Sequence, residues 1–557
     1  MKRLSVCFLS LFLIVLSCKN DDAVVPNNPP NDQTDSPEEE QQEPSGPNPL
    51  IQLEGRQIVD ADKNPIYLQG VAFNNFIWNN SALPPEHHTE LDYERVNAMG
   101  MNAIRFYMNY TYFEDDTSPY TYRQSGWDWL DENIAWAKKH GIYLILNMHA
   151  PQGGYQSQGE GDALWDVVEN QNRLVALWKE IAERYKDEVQ IAGFGPVNEP
   201  VPSQSMSQWS QLAQRLIDEI RTVDKNHLLF IEKAIYVQGD FTPDENLNFP
   251  EVTGENIVYE FHGYDPYFYS HQLLEFAELG DGGKYPDEQI IEVSNTEWYT
   301  ATFDNPRLPA GTSDWTFFEG VRYTIDDPNI QVGTPALIAA EIAGRVFFDD
   351  IVVKEYGVNG EFIRNVYEAN LNSLDNWFYW SANGSGTSGL STTEGNNDTS
   401  SLFIDGTNAD SNLSNSAEIF EAIQGNSYQI SGWMRGENVG ANASSMFRLD
   451  FSTSNGPLLR RNKEYLEAVM GAVVDWAVAK NVALYMGEFG AGTPCFENDK
   501  GGLTWVADMY DILKTNDIHF TYHAYHEDAF GLYLGNNLPD PNNVNQPLID
   551  WFTANLN

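Results

Sequence analysis

Two glutamates lie in short motifs whose residue types suit chemistry at an acetal carbon. Glu199 stands in the triplet Asn198-Glu199-Pro200, and Glu488 stands in the run Met486–Gly490. One carboxyl group can protonate a leaving oxygen while a second carboxylate attacks the carbon from which that oxygen departs, as in the cleavage of glycosidic bonds. The surroundings must keep the first group protonated and the second ionised. The sequence must therefore provide elements that bring Glu199 and Glu488 together.

Alternating predicted strands and helices place both glutamates at one end of a barrel. The predicted strands are 66–73, 103–107, 143–147, 191–196, 228–231, 257–261, 483–486 and 518–522. Their alternation with helices predicts a parallel sheet of the α/β class, and the combined length suits a (β/α)8 TIM barrel. Active sites of such barrels lie at the carboxyl ends of the strands. Glu199 follows the fourth strand and Glu488 ends the seventh, so we expect both side chains on one rim.

Other polar side chains fall at the same strand ends. They are Asn74 after strand one, Arg105 in strand two, His149 after strand three, and His262 and Tyr264 after strand six. The positive charge of Arg105 can hold Glu488 ionised, while Glu199 in a less charged setting can stay protonated. The alternative interpretation is that these groups only satisfy backbone atoms and cap helices. We favour a functional site, because residues so far apart in sequence map to one rim.

In this order, the motifs resemble glycoside hydrolase family 5, the cellulase-like family of clan A. The resemblance covers about residues 50–285 and 458–557, which form the predicted barrel. It implies that Glu199 is the general acid/base, that Glu488 is the nucleophile and that Asn198 binds the sugar 2-hydroxyl. It also implies substrate-binding roles for Arg105, His149, His262 and Tyr264. The resulting expectation is a retaining hydrolase of β-linked polysaccharide, in the manner of an endo-β-1,4-glucanase.

Other functions remain open at this point. β-Mannan, β-1,3-glucan, xyloglucan and marine polysaccharides are alternative substrates for the same chemistry. A non-catalytic surface protein that captures glycans on a degenerate barrel is an alternative of another class. The presence of both Glu199 and Glu488 with their polar neighbours favours the enzyme.

The end of strand eight departs from the family, which often places a tryptophan there. This sequence has His523 or Tyr525 at that place, and we expect them to bind substrate. Trp165, beside a glycine-rich loop, is a further candidate, with core packing as an equal alternative. The same alternative applies to Trp78, Tyr107 and Trp209. His519, His523 and His526 could instead suggest a metal, but strand alternation turns residue 526 away from the other two, so we predict no metal site.

Residues 286–457 interrupt the barrel with a segment of different character. They have few helical stripes and many Ser, Thr, Asn and Gly turns, which predicts an all-β sandwich inserted between strands six and seven. Residues 344–353 resemble the closing strand of jelly-roll carbohydrate-binding modules. Residues 371–380, 401–404 and 425–433 resemble opening strands of the same modules, as in a circularly permuted module. An inert spacer domain is the alternative.

Three tryptophans could stack on sugar or fill the sandwich core: Trp377, Trp380 and Trp433. Asp349 and Asp350 could hold a structural calcium ion, and we expect no other cofactor.

The first 49 residues read as a targeting segment and a tether. Two basic residues precede the apolar run 6–16, and Leu16-Ser17-Cys18 resembles a bacterial lipobox. We therefore expect a lipoprotein signal peptide at 1–18, lipidation of Cys18 and a flexible linker at 19–49, with a cleaved peptide without lipid as the alternative. The residues after Cys18 resemble surface-export signals. The expected location is the outer membrane of a Gram-negative bacterium, exposed at the cell surface and attached through the lipid anchor only.

Composition excludes several classes of function. The chain has 81 acidic and 32 basic residues, for a net charge of −49, which repels phosphate groups and argues against nucleic-acid partners. The hydrophobic fraction of 42% excludes disorder throughout. Beyond Cys18, Cys495 is the remaining cysteine, so an intrachain disulfide framework is not expected. We expect a monomer whose partner is a polysaccharide.

Overall fold

Eight parallel strands close into a barrel in the computed structural model of this chain. The structure describes residues 49–557 apart from 158–160, 241, 293–295, 383–385, 407–409, 416 and 455. The predicted signal peptide, Cys18 and all but the last residue of the predicted linker lie outside the described residues. The barrel strands, in order, are Gln69–Phe73, Ala103–Asn109, Tyr143–Ala150, Ile191–Gly195, Leu228–Glu232, Ile257–Gly263, Ala483–Phe489 and His519–Tyr522. The predicted TIM barrel is confirmed.

The barrel closes because strand eight pairs in parallel with both strand one and strand seven. Phe520 is opposite Gln69 on one side and opposite Met486 on the other. A short hairpin formed by Gln52–Glu54 and Gln57–Val59 precedes strand one. Buried apolar side chains, including Ile145 and Phe230, fill the amino-terminal end of the barrel, which leaves the opposite rim for polar groups.

Helices surround the barrel and present apolar stripes to it. The α-helices are Glu90–Ala98, Gln124–His140, Asp162–Asp166, Val168–Tyr185, Met206–Arg221, Tyr267–Ser270, Lys463–Lys480, Gly502–Thr515 and Gln546–Leu556. Short 3-10 helices cover Ile77–Asn79, Tyr110–Tyr112, Glu275–Ala277 and Thr493–Phe496. In Met206–Arg221, Ser205 and Gln208 form a capping box, and Trp209, Leu212 and Leu216 are buried at helical spacing. None of the helices in the described part of the chain has the length and apolar character that a bilayer crossing requires.

The inserted segment forms two antiparallel sheets, which confirms the predicted sandwich. One sheet contains, in spatial order, Thr296–Ala301, Ser444–Ser454, Val332–Ala340, Ser411–Asn415 and Trp377–Ser381, with Phe420–Glu421 beside Val332–Ala340. The other contains, in spatial order, Gly311–Glu319, Ser427–Val439, Arg345–Tyr356, Ser401–Asp405 and Thr387–Ser391. Two further strands pair with inner strands of this sheet: Tyr323–Thr324 with Ser427–Val439, and Phe362–Ala369 with Arg345–Tyr356. The two sheets enclose their own apolar core, which includes Phe348, Ile430 and Leu449.

A two-stranded stem joins the sandwich to the barrel. The outgoing chain at Asp287–Glu292 pairs in antiparallel fashion with the returning chain at Leu459–Arg461. The two connections therefore run side by side, and the insertion does not disturb the pairing of barrel strands six and seven. Strand six and strand seven remain direct neighbours, with His262 opposite Glu488.

Candidate active site

The carboxylate of Glu488 accepts hydrogen bonds from three side chains, two of them fully buried. Arg105 Nη1 and the Tyr107 hydroxyl each donate to Oε1 at 2.6 Å, and the Tyr264 hydroxyl donates to Oε2 at 2.6 Å. Burial and the neighbouring carboxylate raise the pKa values of both tyrosines well above the usual range, so both hydroxyls keep their protons. Glu488 itself is 4% exposed. These contacts fix the carboxylate at the end of strand seven in one orientation.

The surroundings of Glu488 favour its ionised form. Burial alone would raise the pKa of this carboxyl group, but positive charge on His262, His523 and Arg105 outweighs burial and lowers the pKa well below its usual value. The imidazole nitrogens of His262 and His523 that face Glu488 lie 3.7 and 3.9 Å from Oε2. Glu488 is therefore an ionised carboxylate at neutral pH, as a nucleophile must be.

Arg105 is fully buried and uses all three nitrogens of its guanidinium group. Besides Glu488, it donates to Glu260 Oε1 through Nε at 2.8 Å and to Asn198 Oδ1 through Nη2 at 2.8 Å. Nη2 also lies 3.4 Å from Glu232 Oε2. A planar fork of this kind orients its acceptors as well as compensating their charge. One arginine thus connects strands two, five, six and seven at the rim.

Gly487 makes room for this network. A Cβ atom at residue 487 would lie 1.8 Å from Oε1 of Glu260 and 3.1 Å from Nε of Arg105. A side chain there would displace one member of the buried ion pair. The glycine before Glu488 therefore has a packing reason within the site.

Glu199 faces Glu488 across His262. Nδ1 of His262 lies 2.9 Å from Glu199 Oε1, at hydrogen-bond distance, and 3.7 Å from Glu488 Oε2. Burial alone would lower the pKa of His262, but the carboxylates of Glu232 and Glu488 raise it well above its usual value. Glu199 has a φ of 44°, in the left-handed region that residues with a Cβ seldom adopt. Its backbone therefore holds the side chain at the rim in a conformation that the surrounding contacts must maintain.

Three further polar residues complete the surroundings of Glu488. His149 stacks on Tyr107 with ring centroids 3.9 Å apart, and burial lowers its pKa well below the usual value. Asn198 donates through Nδ2 to Ser157 Oγ at 3.2 Å while its oxygen accepts from Arg105. His523 Nδ1 lies 3.0 Å from the Tyr107 hydroxyl, and its Nε2 lies 3.2 Å from Glu527 Oε1.

These groups line a cleft of about 960 Å³ at the carboxyl end of the barrel. Its walls include the aromatic side chains Trp78, Tyr155, Tyr264, Tyr267, Phe276 and Phe530. Glu199, Glu232, His262, Glu488, His523 and Glu527 form its polar floor. A cleft of this kind, with flat apolar walls and two facing carboxyl groups, suits a sugar ring held for acid-assisted cleavage.

Residues 59–309 match the family model described as Cellulase (glycosyl hydrolase family 5). The chain contains a glycosyl hydrolase family 5 domain. Endoglucanase C of Acetivibrio thermocellus is 29% identical over 213 residues, which are 38% of this chain and 61% of that protein. A β-xylosidase of Phanerodontia chrysosporium is 34% identical over 184 residues, 32% of this chain and 37% of that protein. The chain therefore spans about three-fifths of the length of Endoglucanase C.

The fold is also similar to that of solved structures. Cel5A of Thermotoga maritima, crystallised with mannotriose, aligns with a TM-score of 0.46 and 14% sequence identity. The alignment covers 87% of this chain and 97% of that one.

Most residues predicted for the site of the family 5 domain lie together at the cleft. They are Arg105, His149, Asn198, Glu199, His262, Tyr264, Glu488 and His523. Trp78 also lies at the cleft and is 43% exposed. Tyr107 reaches the site through its hydroxyl rather than through sugar stacking, and Trp209 is fully buried in the core.

Three predicted substrate-binding residues lie away from the cleft of the family 5 domain. Tyr525 is buried, and its hydroxyl donates to Asp92 Oδ1 at 2.8 Å, behind the barrel wall. Asn74 donates to the backbone of His526 and to Glu527 Oε2, so its amide joins two loops. Trp165 is in the core and donates to Gln156. In each case a partner inside the protein satisfies the polar atom that was predicted to meet substrate.

Glu232 and Glu260 were not predicted, although strand geometry contains a signal for Glu260. Alternate residues of a strand point to the same side, so Glu260 must share the face of His262. By the same rule, Tyr107 lies on the same face of strand two as Arg105. Glu232 is the one charged residue at the end of an otherwise apolar strand, which is a weaker signal.

The contacts of Asp349 and Asp350 argue against the structural calcium ion that these two residues could hold by sequence. Backbone N–H groups of Asp350 and Asn396 donate to the two oxygens of Asp349. The side-chain amides of Asn396 and Asn397 donate to Asp350 Oδ2. Nitrogen donors thus occupy both oxygens of Asp349 and Oδ2 of Asp350, which a calcium ion would need as ligands.

The three histidines near strand eight do not share one site. His519 accepts from the Leu68 backbone beneath the barrel rim, and His523 lines the cleft. His526 packs against His87 in the loop after strand one. The expectation that residue 526 points away from the other two matches this arrangement.

Proposed function

We propose that the chain is a retaining glycoside hydrolase acting on β-linked polysaccharide. The observation that carries this proposal is the buried, triply hydrogen-bonded and ionised carboxylate of Glu488 facing the half-buried carboxyl group of Glu199. A catalytic pair of this kind needs one nucleophile and one proton donor. A non-catalytic glycan-capture protein would have no need for so elaborate a set of donors around one carboxylate.

The proposed reaction has two steps. In the first, a Glu488 oxygen attacks the anomeric carbon, the bond to the leaving oxygen breaks, and Glu199 gives its proton to that oxygen. In the second, Glu199 takes a proton from water, whose oxygen attacks the same carbon and releases Glu488. Arg105, Tyr107 and Tyr264 hold the carboxylate in place during both steps, and His262 stabilises Glu199 when it is ionised.

The separation of the two carboxyl groups supports retention. Nδ1 of His262 lies 2.9 Å from Glu199 Oε1 and 3.7 Å from Glu488 Oε2, so these two oxygens are at most about 6.6 Å apart. Retaining glycosidases place their carboxyl groups about 5–5.5 Å apart, whereas inverting enzymes use about 6.5–9.5 Å. The short bridge through one imidazole nitrogen favours the retaining arrangement.

We propose β-1,4-glucan as the first substrate, with β-mannan, β-1,3-glucan, xyloglucan and marine polysaccharides as rivals. A panel of these polymers, assayed for released reducing ends, is expected to give the highest rate on β-1,4-glucan. Proton NMR of the first product on the best polymer should show the β-anomer before mutarotation. Absence of hydrolysis on every polymer would refute the proposal that the chain is a polysaccharide hydrolase. An initial α-anomer would refute the retaining mechanism.

We further propose that the sandwich extends the cleft for long polymers. Tyr267 at the cleft lies beside Phe268, with ring centroids 6.3 Å apart, and Phe268 contacts Phe378 of the sandwich at 6.0 Å. Phe378 and Trp380 are alternate residues of one edge strand and are 42% and 55% exposed. They therefore share a face that continues the aromatic wall outward. By contrast, Trp377 is buried in the sandwich core.

Replacing Phe378 and Trp380 by alanine is expected to raise KM on the best soluble polymer by roughly tenfold, because two stacking surfaces are lost. Turnover of a short aryl oligosaccharide should not change, since the catalytic residues lie in the barrel. Trp298→Ala is the matched control, because Trp298 is 58% exposed on the opposite edge strand of the same sheet. Equal KM values for the double variant and the control would support the inert spacer instead.

We also propose that the protein is a lipoprotein anchored through Cys18 at the cell surface of a Gram-negative bacterium. The basic start, the apolar run 6–16 and the lipobox-like Leu16-Ser17-Cys18 support this location. A surface position suits a polysaccharide substrate, which is too large to enter the cell intact. The acidic surface of the chain supports neutral glycans as ligands and a monomeric state in solution.

A further inference from the structure

We propose that His87, His88 and His526 form a binding site for a divalent transition-metal ion, with Zn²⁺ as the representative ligand. His87 and His88 lie between barrel strand one and the helix Glu90–Ala98, and His526 lies in the loop after strand eight. One ring nitrogen from each lies within 4.8 Å of the other two. Imidazole is a preferred ligand of zinc, copper and nickel ions.

The three rings are buried with unsatisfied nitrogen atoms. His87, His88 and His526 are 2%, 8% and 0% exposed. Neither ring nitrogen of His87 has a hydrogen-bond partner, and Nε2 of His88 has none. The nitrogens of His526 also lack a well-aligned partner, although the His87 backbone lies near that ring. Buried polar groups are nearly always satisfied, so this cluster calls for a missing partner.

The rings have the protonation state that metal ligands need. Burial lowers the pKa of His87 to about 3 and lowers the pKa of His88 well below its usual value. Each neutral ring offers a lone pair to a cation, whereas a protonated ring would repel it.

Contacts around His88 resemble those that orient metal-binding histidines. Its Nδ1 lies 2.9 Å from Asn75 Oδ1, and Nδ2 of Asn75 donates to the Tyr107 carbonyl at 2.9 Å. The amide oxygen can thus accept the Nδ1 proton, which leaves a lone pair on the buried and unpartnered Nε2. A hydrogen bond at the far nitrogen commonly fixes the tautomer of a ligand histidine.

Metal binding requires a modest adjustment of the rings. His87 and His526 are stacked, with centroids 4.3 Å apart and planes 22° apart. Zinc–nitrogen bonds of about 2.0–2.1 Å in a tetrahedral site place ligand nitrogens roughly 3.3 Å apart. Side-chain rotations that close the present spacing by roughly 1.5 Å or less would complete three ligands, and water would fill the fourth position.

The ion would connect two loops that form the cleft. Asn74 beside this site donates to the His526 carbonyl and to Glu527 Oε2, and Oε1 of Glu527 contacts His523 in the cleft. A cation held between residues 87–88 and 526 would therefore restrain the wall that carries His523. Its role is structural and does not depend on the proposed hydrolysis.

The test uses the full chain without a histidine tag, stripped with chelator and titrated with Co²⁺ and Zn²⁺. We expect one equivalent of metal by elemental analysis, the visible bands of tetrahedral cobalt with nitrogen ligands, and a higher Tm with Zn²⁺. The double variant His87→Phe/His526→Phe keeps two stacked aromatic rings but removes two ligands. It should keep the wild-type Tm in chelator and lose the cobalt bands and the Zn²⁺-dependent rise in Tm.

His140→Phe is the matched control, because this histidine is partly buried and lies beside Glu90, outside the cluster. It should bind metal as the wild type does. Absence of bound metal in the wild type would overturn the proposal, and that result does not depend on how well the variant folds. Metal bound equally by the double variant would also overturn it, because it would assign the ion to Glu199, Glu232 and His262, the other group with suitable spacing in the described part of the chain.

Discussion

Glu488→Ala is expected to lower kcat on the best polysaccharide by about 10⁴-fold or more, because it removes the group that forms the covalent intermediate. Glu199→Ala should lower kcat by about 10²–10⁴-fold, the usual contribution of general acid–base catalysis. Both side chains lie at the cleft, so circular dichroism and Tm should show intact folds. Steady-state kinetics on the polymer measure both losses.

Azide provides a control that separates the two roles. It can enter the space that each truncated side chain leaves and restore turnover of an activated aryl glycoside. Glu488→Ala should then give the α-glycosyl azide, and Glu199→Ala the β-glycosyl azide, because azide replaces a different nucleophile in each case. Glu219→Gln, a surface residue paired with Lys179, should behave as wild type. Near-normal activity in either alanine variant would refute the assigned roles.

Arg105→Met is expected to produce the largest loss of stability among single substitutions at the site. It removes the guanidinium from between Glu232, Glu260 and Glu488 while their carboxyl groups stay buried. Breaking a buried ion pair by removing one partner costs about 3–5 kcal/mol. Chemical denaturation at pH 7 measures this loss as a decrease in the free energy of unfolding.

The same substitution should change the pH dependence of activity. Arg105 helps to lower the pKa of Glu488, so its removal raises that pKa. Because the ionised carboxylate is the reactive form, the acidic limb of kcat/KM should move to higher pH. Adding Glu260→Gln to Arg105→Met should recover part of the stability, since one uncompensated buried charge is removed, but should leave the acidic limb displaced. An unchanged acidic limb in Arg105→Met would contradict the proposed electrostatic role.

The barrel could be predicted from sequence because its signals are periodic and local. Buried strands alternating with amphipathic helices identify the sheet, and residues after the strands identify the rim. The sandwich was recognised by its change in composition, from helical stripes to polar turns. The two-stranded stem Asp287–Glu292 and Leu459–Arg461 could not be inferred, because its pairing partners lie more than 160 residues apart and carry no local signal.

The site was less completely predictable than the fold. Positions at strand ends located both glutamates and most of their neighbours, since the rim rule depends on strand order alone. The resemblance to family 5 puts His523 or Tyr525 in the place of the tryptophan that often ends strand eight. The loop after strand eight instead turns between them, so that His523 faces Glu488 while Tyr525 enters the core and meets Asp92. Such a turn depends on tertiary packing, which local sequence does not encode.

The most direct test of the central claim is to trap the covalent intermediate. Incubation with a 2-deoxy-2-fluoro glycoside bearing an activated leaving group, matched to the best substrate, should inactivate the enzyme and add one glycosyl unit. The account predicts that peptide mass spectrometry will locate this unit on Glu488. A glycosyl unit on another carboxylate would contradict it. So would a fluoro glycoside that fails to inactivate the enzyme although the enzyme hydrolyses the parent glycoside without fluorine.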